Sequence, residues 1–369
     1  MRSPCGLWLV LALAACTEHR EAAAGGSGSA APPPPAPPKQ ATVEKRADPD
    51  RKFEYHGDAM GTVISVYVWT DDEPKAAKAA GAVFAEMKRI DTVMTTWTDD
   101  SEVSRINAAA GVGPVQVSDE TYTVIERAQD VSRRTKGIFD ITVGAFKGLW
   151  KFDQDMDGTL PDPKDVKARL ANIGYRDVVL DKAKKTVFLR RKGMSITLGG
   201  IAKGYAVDKC VKLLFDQGLT SFMVQAGGDM YIAGKKGKEP WTVAIRDPRG
   251  PTNTYFAFAP IENHSFSTSG DYERGFVKDG VRYHHILDPR TGMPAHASRS
   301  VTVRAKDAFT ADAWSKVMFI VGWQEGLKVI EREKLTDFDV VWVDDKNAIH
   351  ATKAIEPTLK ILKQPTPGP

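Results

Sequence analysis

The chain has 369 residues, of which 42% are hydrophobic and 27% are charged, and its formal net charge is +4. This balance is ordinary for a globular protein, and a modest positive charge spread along the chain argues against a nucleic-acid partner. The three cysteines, Cys5, Cys16 and Cys210, show no zinc-binding spacing, which excludes a disulfide scaffold or a zinc module. Cys210 lies on the apolar stripe of a predicted helix, so we expect it to be a buried, unreactive side chain.

The N-terminus has the pattern of a short secretory signal over residues 1–16. Arg2 supplies the positive charge, and the apolar run from Leu7 to Ala14 is too short to cross a bilayer. The end of this run, with Cys16 after two alanines, resembles a bacterial lipobox. The resemblance implies that Cys16 becomes the lipidated first residue of the mature protein.

A tether is predicted after the lipidated cysteine. Residues 17–50 are rich in Ala, Gly, Ser and Pro and lack core-forming side chains, which predicts a flexible and then stiff linker. Thr17, rather than an aspartate, follows Cys16, and this favours sorting to the outer membrane. We therefore expect a lipid-anchored protein of the bacterial periplasm, with its folded domain over residues 53–363.

Hydrophobic periodicity predicts many strands and a few helices in the folded part. Strands are predicted at 53–70, 177–190, 192–198, 222–226, 230–233, 241–246, 254–259, 265–269, 300–305 and 339–343. Helices are predicted at 76–94, 101–107, 121–135 and 311–321, and a further helix carries Lys203 in its first turn and ends near Gly218. Runs of strands separated by helices are typical of an α+β fold with largely antiparallel sheet.

The most informative stretch is Ser195–Asp208, where an apolar segment meets two glycines and then a helical pattern. A glycine turn lets the backbone approach a ligand, and a helix N-terminus attracts anions. Lys203 is unusual in a first helical turn, because a cation there opposes the helix dipole. Two interpretations remain open: a bound anion, or a lysine that points into water.

Four polar clusters lie at the ends of predicted elements: 227–229, 267–274, 285–292 and 310–316. The third contains Asp288-Pro289-Arg290-Thr291-Gly292, whose proline and glycine suit a tight turn. Its simpler interpretation is a hairpin turn whose Arg290 points into water. Asp312 has a simpler interpretation too, as an acid in a first helical turn. The serine-hydrolase elbow, the zinc-protease motif and Cys/His ligand sets are missing.

Taken in order, these motifs resemble one family, the FAD:protein FMN transferases of the ApbE family. The matching motifs are Met60-Gly61-Thr62, Trp97 with Asp100-Ser101-Glu102, Gly137–Thr142, Leu198–Asp208, Gly227-Gly228-Asp229, Ser267–Arg274, His285–Gly292 and Ala311–Trp314. The resemblance implies an ApbE-like α+β fold with mixed, largely antiparallel sheets and helices, in a two-lobed single catalytic unit. It also implies that FAD is cleaved with Mg2+, that FMN is attached through a phosphoester to a threonine of a partner redox protein, and that AMP is released.

The resemblance also implies site residues. Those expected at the flavin are Met60, Trp97, Ile138, Phe139, Asp140, Thr197, Lys203 and the backbone at Leu287. His285 is the candidate for the base that takes the acceptor's proton, with support of the Asp288 turn as its simpler role. Asp312 is expected to be catalytic and to ligate the metal. The metal ligands would be the carbonyl of Gly200, Asp312, and oxygens at Ser315 and Lys316.

Two positions depart from the family pattern. The family usually has aspartate at the position of Thr197 and threonine at the position of Lys316. An ammonium cannot ligate Mg2+, and the i, i+4 spacing from Asp312 to Lys316 suits an ion pair instead. Three outcomes stay open: the remaining oxygens hold Mg2+, Lys316 supplies the charge itself, or the chain binds FAD without transferring it.

The alternatives for function follow from these departures. The first expectation is a transferase. The second is a periplasmic lipoprotein that binds FAD without transferase activity, and the third is a pyrophosphatase that gives FMN and AMP. The folded part offers no convincing acceptor segment of its own, so we expect no flavin to be attached to this chain.

Overall fold

The computed structural model describes residues 51–152 and 155–369. The strands are β1 Arg51–Ala59, β2 Thr62–Thr70, β3 Val115–Gln116, β4 Val178–Asp181, β5 Thr186–Leu189, β6 Phe222–Ala226, β7 Asp229–Ala233, β8 Lys235–Lys236, β9 Glu239–Arg246, β10 Tyr255–Ile261, β11 His264–Gly270, β12 Gly275–Lys278, β13 Val281–His284, β14 Ser298–Ala305, β15 Asp339–Asp344, β16 Ile349–Ala351 and β17 Lys360–Ile361. The helices are α1 Glu73–Met94, α2 Glu102–Ala108, α3 Asp119–Arg134, α4 Pro163–Leu170, α5 Ala202–Asp216 and α6 Ala308–Arg332, with 3-10 turns at Ile141–Phe146, Tyr175–Asp177 and Glu356–Thr358.

Eight strands form the central sheet in the order β1-β2-β6-β7-β11-β14-β15-β16, and each neighbouring pair is antiparallel. A second antiparallel sheet has the order β17-β10-β9-β8, and smaller sheets are formed by β12-β13 and by β3-β5-β4. The predicted α+β class with largely antiparallel sheet is confirmed.

Both faces of the central sheet are covered, and β15 shows why. Its side chains alternate between two apolar clusters: Val340 and Trp342 lie in the cluster that includes the helices, and Val341 and Val343 lie in the cluster of the second sheet. A strand that is buried on both faces has apolar residues throughout rather than at alternate positions. Helices α1, α5 and α6 cover the first face, with α5 in contact with both α1 and α6.

The first strand prediction was wrong in one respect, because 53–70 is a hairpin rather than one strand. Met60 and Gly61 form its turn with φ values of 54° and 67°. A methionine at positive φ is unusual, so the sequence gives no turn signal at Met60. Its backbone N–H donates to Asp91 Oδ2 on α1 at 2.8 Å, which holds the turn against the helix.

The strand predicted at 192–198 was also wrong, since these described residues form no strand. Asn107 takes the place of a neighbouring strand: its Nδ2 donates to Ile196 O at 2.9 Å, and its Oδ1 accepts from Ile196 N at 2.7 Å. The segment is extended and buried, as its apolar residues indicate, but a side chain satisfies its backbone. This arrangement leads the chain into the glycine turn.

Other predictions need smaller corrections. The helix predicted at 311–321 is longer and has a break at Gly322, where φ is 74° and ψ is 175°. The hairpin β12–β13 and helix α4 were not predicted, because short polar elements have weak periodicity. Cys210 is buried and free, as expected.

The N-terminal predictions cannot be compared with the fold. The signal at 1–16, lipidated Cys16 and the tether at 17–50 lie outside the described residues. Within the described ranges, no helix combines the length and apolar character needed to cross a membrane. All of the described residues belong to one compact unit, which extends to Pro369 at its C-terminus.

Candidate functional site

The glycine turn ends where α5 begins, and α6 approaches it closely. Among the described residues, no side chain caps α5 at Ile201; instead Asp312 Oδ2 of α6 accepts from Gly204 N at 2.9 Å. A Cβ at Gly204 would lie 2.3 Å from the carbonyl oxygen of Ala308, so only glycine allows this contact. The positive end of the α5 dipole therefore faces a buried carboxylate.

Lys203 forms an ion pair with Asp229, the first residue of β7. Its Nζ lies 2.8 Å from Asp229 Oδ2, and the side chains are 24% and 3% exposed. Burial by itself would lower the pKa of Lys203, but the charges of Asp229 and Asp312 outweigh it and raise that pKa. The structure thus adds a third interpretation to the two left open for Lys203: an internal partner balances its charge.

Asp312 and Lys316 form a second ion pair one turn along α6, as the i, i+4 spacing predicts. The Asp312 side chain is 0% exposed and that of Lys316 is 17% exposed. Burial and the charge of Asp229 raise the pKa of Asp312, against the opposing effects of Lys316 and Lys203. We call Lys203, Asp229, Asp312 and Lys316 the four-charge cluster.

The simpler interpretation of Asp312, an acid in a first helical turn, was wrong. Helix α6 begins at Ala308, and its cap is Asp307, whose Oδ1 accepts from Thr310 N at 2.9 Å. Asp312 lies one turn further on, where its carboxylate accepts from Gly204 N of α5 and from Lys316 of its own helix and does not cap α6. The acid therefore links two helices.

Three buried serines line the cluster. Ser267 donates to Asp229 Oδ1, and Ser269 Oγ lies 2.8 Å from Ser315 Oγ. Ser315 Oγ in turn donates to the carbonyl oxygen of Asp312 at 2.8 Å. The hydroxyl of Ser315 is thus held within the protein, on the side of the cluster formed by β11.

The donors near Asp312 do not fit the divalent metal that the family resemblance implies. Both carboxylate oxygens of Asp312 are engaged, one by the Lys316 ammonium and one by the Gly204 N–H. Mg2+ requires several oxygen ligands in octahedral geometry, and Lys316 offers none. In the described part of the chain, no group of three or more His, Cys, Asp or Glu residues is placed to hold a metal.

His285 lies beside the cluster, directly after β13. Its Nδ1 is 3.3 Å from the carbonyl oxygen of Arg274. Its side chain reaches the surface, yet desolvation by the surrounding protein, followed by the charges of His284 and Arg274, lowers its pKa to about 3. At neutral pH this imidazole is therefore uncharged.

The hairpin turn of β1–β2 reaches the same region. A Cβ at Gly61 would lie 3.5 Å from Arg274 Nη2, and Met60 is half-buried beside it. On another side, Phe139 Cε2 lies 3.6 Å from where a Cβ of Gly200 would be. The structure therefore places Phe139 against the glycine turn, and Met60 in the hairpin turn that approaches Arg274.

Trp97 is the most exposed of the predicted aromatic contacts. Its ring is accompanied by Lys147, whose Nζ lies 5.2 Å from the ring centre, and the residue is 69% exposed. Ile138 is half-buried, and Leu287 forms an isolated bridge with Pro294. Their roles at a flavin stay predictions.

Asp140 and Thr197 shape the backbone around the site. Asp140 Oδ1 accepts from Thr142 N and Oγ1 at 2.8 and 2.7 Å, and its Oδ2 accepts from Tyr175 N at 2.8 Å. Thr197 N donates to Ile141 O at 2.9 Å, and Thr197 Oγ1 accepts from Gly199 N at 3.3 Å. Both residues hold the segment that carries Phe139 against the glycine turn.

The Asp288 turn is confirmed, with one difference from its simpler interpretation. Arg290 does not simply point into water: its guanidinium bonds Asp288 Oδ2 at 2.7 Å, and its backbone N–H bonds Asp288 Oδ1 at 2.9 Å. The carbonyl oxygen of Gly292 accepts from Trp150 Nε1 at 2.9 Å. The turn is thereby fixed to the aromatic cluster next to it.

Sequence reasoning assigned no role to Asp229, Arg274 or the serines of β11. Ser265, Ser267 and Ser269 alternate along one strand and are all buried. Hydroxyl side chains at alternate positions of a strand predict a polar face inside a sheet. The ion pair of Lys203 with Asp229 cannot be predicted from the sequence, because it depends on how two distant segments meet.

A family model described as the ApbE family matches residues 60–342. The chain belongs to the ApbE family. Among its relatives, an FAD:protein FMN transferase of Klebsiella pneumoniae (strain 342) is 32% identical, over 80% of this chain and 90% of the relative. One from Treponema pallidum (strain Nichols) is 33% identical, over 82% of this chain and 87% of the relative.

Solved structures of ApbE proteins have the same fold. The crystal structure of the ApbE protein from Thermotoga maritima has a TM-score of 0.75 and 35% identity, covering 84% of this chain and 99% of that chain. The flavin transferase ApbE from Vibrio cholerae has a TM-score of 0.74 and 27% identity, covering 84% of this chain and 100% of that chain. The ApbE-like fold expected from the motifs is confirmed.

Proposed function

We propose that this ApbE protein is an FAD:protein FMN transferase, which moves FMN from FAD to a threonine hydroxyl of a partner redox protein and releases AMP. The relatives of this name, each covering most of the chain, support the proposal. The observation that carries it is the convergence of separate motifs on one region: Lys203 lies at the glycine turn and pairs with Asp229, while Arg274 approaches Gly61 and its carbonyl oxygen lies 3.3 Å from His285 Nδ1.

The pyrophosphate of FAD belongs at the start of α5. A helix N-terminus with a glycine turn accommodates phosphate oxygens, and Lys203 adds a charge at the same place. Arg274 acts electrostatically on both Lys203 and His285, so the approaching anion meets positive charge from Lys203 of α5 and from Arg274, which directly precedes β12. The isoalloxazine ring then lies toward Met60 and Trp97, which offer a thioether and an aromatic surface.

The transfer is a substitution at the FMN phosphorus. The acceptor threonine oxygen bonds to this phosphorus, the bond from phosphorus to the bridging oxygen breaks, and that oxygen leaves with AMP. The hydroxyl proton passes to the uncharged imidazole of His285, whose pKa rises when the anionic substrate lies beside it. Lys203 and Arg274 stabilise the negative charge on the phosphate oxygens. The magnesium ion that the resemblance implies has no part in this step, because the donors near Asp312 do not fit it.

The location of the protein is a further part of the proposal. Lipidation at Cys16 and the tether at 17–50 would let the domain work on periplasmic or membrane redox proteins, with the outer membrane favoured over the inner. The support is the lipobox-like sequence. A Cys16→Ser variant should be found in the soluble periplasmic fraction, and equal solubility of the wild type would refute the anchor.

Intact mass of an acceptor fragment tests the activity. We expect the fragment to gain the mass of one FMN after incubation with FAD and purified protein, and an acceptor with alanine at its threonine should gain nothing. Bound but unchanged FAD would indicate the flavin-binding lipoprotein, and free FMN with AMP would indicate the pyrophosphatase. Either result would contradict the transferase.

A further inference from the structure

Lys316 occupies a position that the transferase proposal does not use. Its ammonium is bonded to Asp312, a carboxylate that is fully buried and also bonded to the N-terminus of α5. The Lys316 side chain is 17% exposed, so most of it is covered by the protein. A lysine in such surroundings is a fixed positive charge with three N–H donors.

The charges of the cluster already balance. Asp229 and Asp312 carry two negative charges, and Lys203 and Lys316 carry two positive ones, with each ammonium paired to one carboxylate. Lys316 also acts on Asp229 and Lys203 acts on Asp312, so the four groups form one electrostatic unit. A divalent cation added here would face two ammoniums at close range and would gain no free carboxylate.

We propose that Lys316 replaces the divalent cation of this site. Its ammonium supplies the positive charge beside the pyrophosphate, and FAD binds and reacts without a metal at Asp312. This inference rests on the proposed function for the identity of the anion, but its metal-binding part concerns the protein alone.

Manganese binding to the metal-free protein is the first test. Mn2+ is titrated into chelator-treated wild type and followed by the electron paramagnetic resonance of the free ion. We expect no Mn2+ bound at the cluster of the wild type and one equivalent bound by Lys316→Thr. The affinity of Lys316→Thr for Mn2+ should be at least tenfold higher than any affinity measured for the wild type. Lys316→Arg keeps the charge and should bind none. Lys328→Thr removes an exposed lysine from the same helix and should behave like the wild type.

The outcomes of this titration are decisive in each direction. One tight equivalent on the wild type that is absent from Asp312→Asn overturns the inference. No binding by either the wild type or Lys316→Thr overturns it too, because Lys316 is then not what excludes the metal. If Lys316→Thr folds poorly, its melting temperature with and without Mn2+ reports the same binding through stabilisation, and Lys316→Met is titrated as the second variant.

FAD binding is the second test and separates this inference from the proposed function. Flavin fluorescence gives the dissociation constant in EDTA and in excess Mg2+, with no acceptor present. We expect the wild-type constant to change less than twofold, and Lys316→Met in EDTA to bind FAD about tenfold more weakly. A tenfold loss of wild-type affinity in EDTA contradicts the inference. Failure to bind FAD under any condition contradicts the proposed function, while the manganese titration still stands.

Discussion

Two regions of the molecule bury carboxylates, and they differ in how much lysine ammoniums and backbone N–H groups contribute to stabilising them. In the four-charge cluster, Asp229 and Asp312 are each bonded to a lysine ammonium. In the second region, which we call the C-terminal region, Asp247 follows β9 and contacts the C-terminal segment: it accepts from the backbone N–H groups of Arg249, Gly250 and Thr366, and it also pairs with Lys363 at 2.8 Å. Although burial alone would raise it, the hydrogen bonds of Lys363 and Thr366 lower the pKa of Asp247 to about 2.

The difference separates a structural carboxylate from a functional one. Backbone donors at Asp247 are fixed by the fold and cannot leave when a ligand arrives. The ammonium of Lys203 sits on a flexible side chain that is partly exposed, so it can turn from Asp229 toward a substrate anion. We therefore expect substitutions in the four-charge cluster to affect FAD, and substitutions in the C-terminal region to affect stability alone.

Lys203→Met should have the largest effect. The variant loses the cation nearest the proposed pyrophosphate and leaves Asp229 buried without its partner, so we expect FMN transfer to fall by about 100- to 1000-fold. The measurement is kcat/KM for FAD at a temperature where the variant is folded. Lys212→Met, an exposed position on the same helix, is the control and should keep its activity. If the activity of Lys203→Met stays within threefold of the wild-type activity, the four-charge cluster is not the region that acts on FAD.

Arg249→Met should destabilise the protein by about 3 kcal/mol while FAD still binds. Arg249 and Asp271 form a bidentate pair at 2.6 and 2.7 Å, and both side chains are buried, so the variant leaves a carboxylate uncompensated. Urea unfolding gives the free energy, and flavin fluorescence gives the affinity. A tenfold loss of FAD affinity in the folded variant would mean that the two regions are not separate.

Asp208 should make stability depend on pH. Burial, and then the charge of Asp307, raises the pKa of Asp208 from 3.8 to about 7. Because the folded state holds this proton more tightly than the unfolded state, stability is greatest below about pH 4 for this group and falls as pH rises toward 7. We expect wild type to lose on the order of 1 to 2 kcal/mol more than Asp208→Asn between pH 5 and pH 7. Equal losses in urea unfolding would refute the raised pKa.

Thr366→Val should have the smallest effect. It removes the hydroxyl that donates to Asp247 Oδ2 at 2.7 Å and keeps the backbone N–H, so we expect a loss of about 1 kcal/mol. FMN transfer should not change. A loss of several kcal/mol would show that Asp247 depends on the hydroxyl more than on the backbone donors, against the comparison drawn above.

Much of the fold was predictable because its signals are local. The beginning of α2 after Ser101 follows from capping chemistry, and the strand from 222 to 226 follows from its apolar pattern. Both are present in the structure. The turn at Met60 was missed because methionine rarely adopts a positive φ, so its residue type does not predict one. The extended segment at Ile196 was taken for a strand because the partner of its backbone is a side chain 89 positions away.

The site was only partly predictable for a similar reason. The i, i+4 spacing from Asp312 to Lys316 was enough to expect their ion pair, since both residues lie on one helix. The pair of Lys203 and Asp229 depends on the meeting of α5 with β7, which no local pattern encodes. The low pKa of His285 depends likewise on desolvation by the surrounding protein and on the charges of His284 and Arg274.

The most direct test of the account is the ratio of AMP released to FMN bound covalently to the acceptor, both measured by chromatography in one reaction. Transfer as proposed gives one AMP for each FMN on the acceptor threonine and no flavin attached to the ApbE chain itself. AMP together with free FMN, or FAD that remains intact while bound, would contradict it.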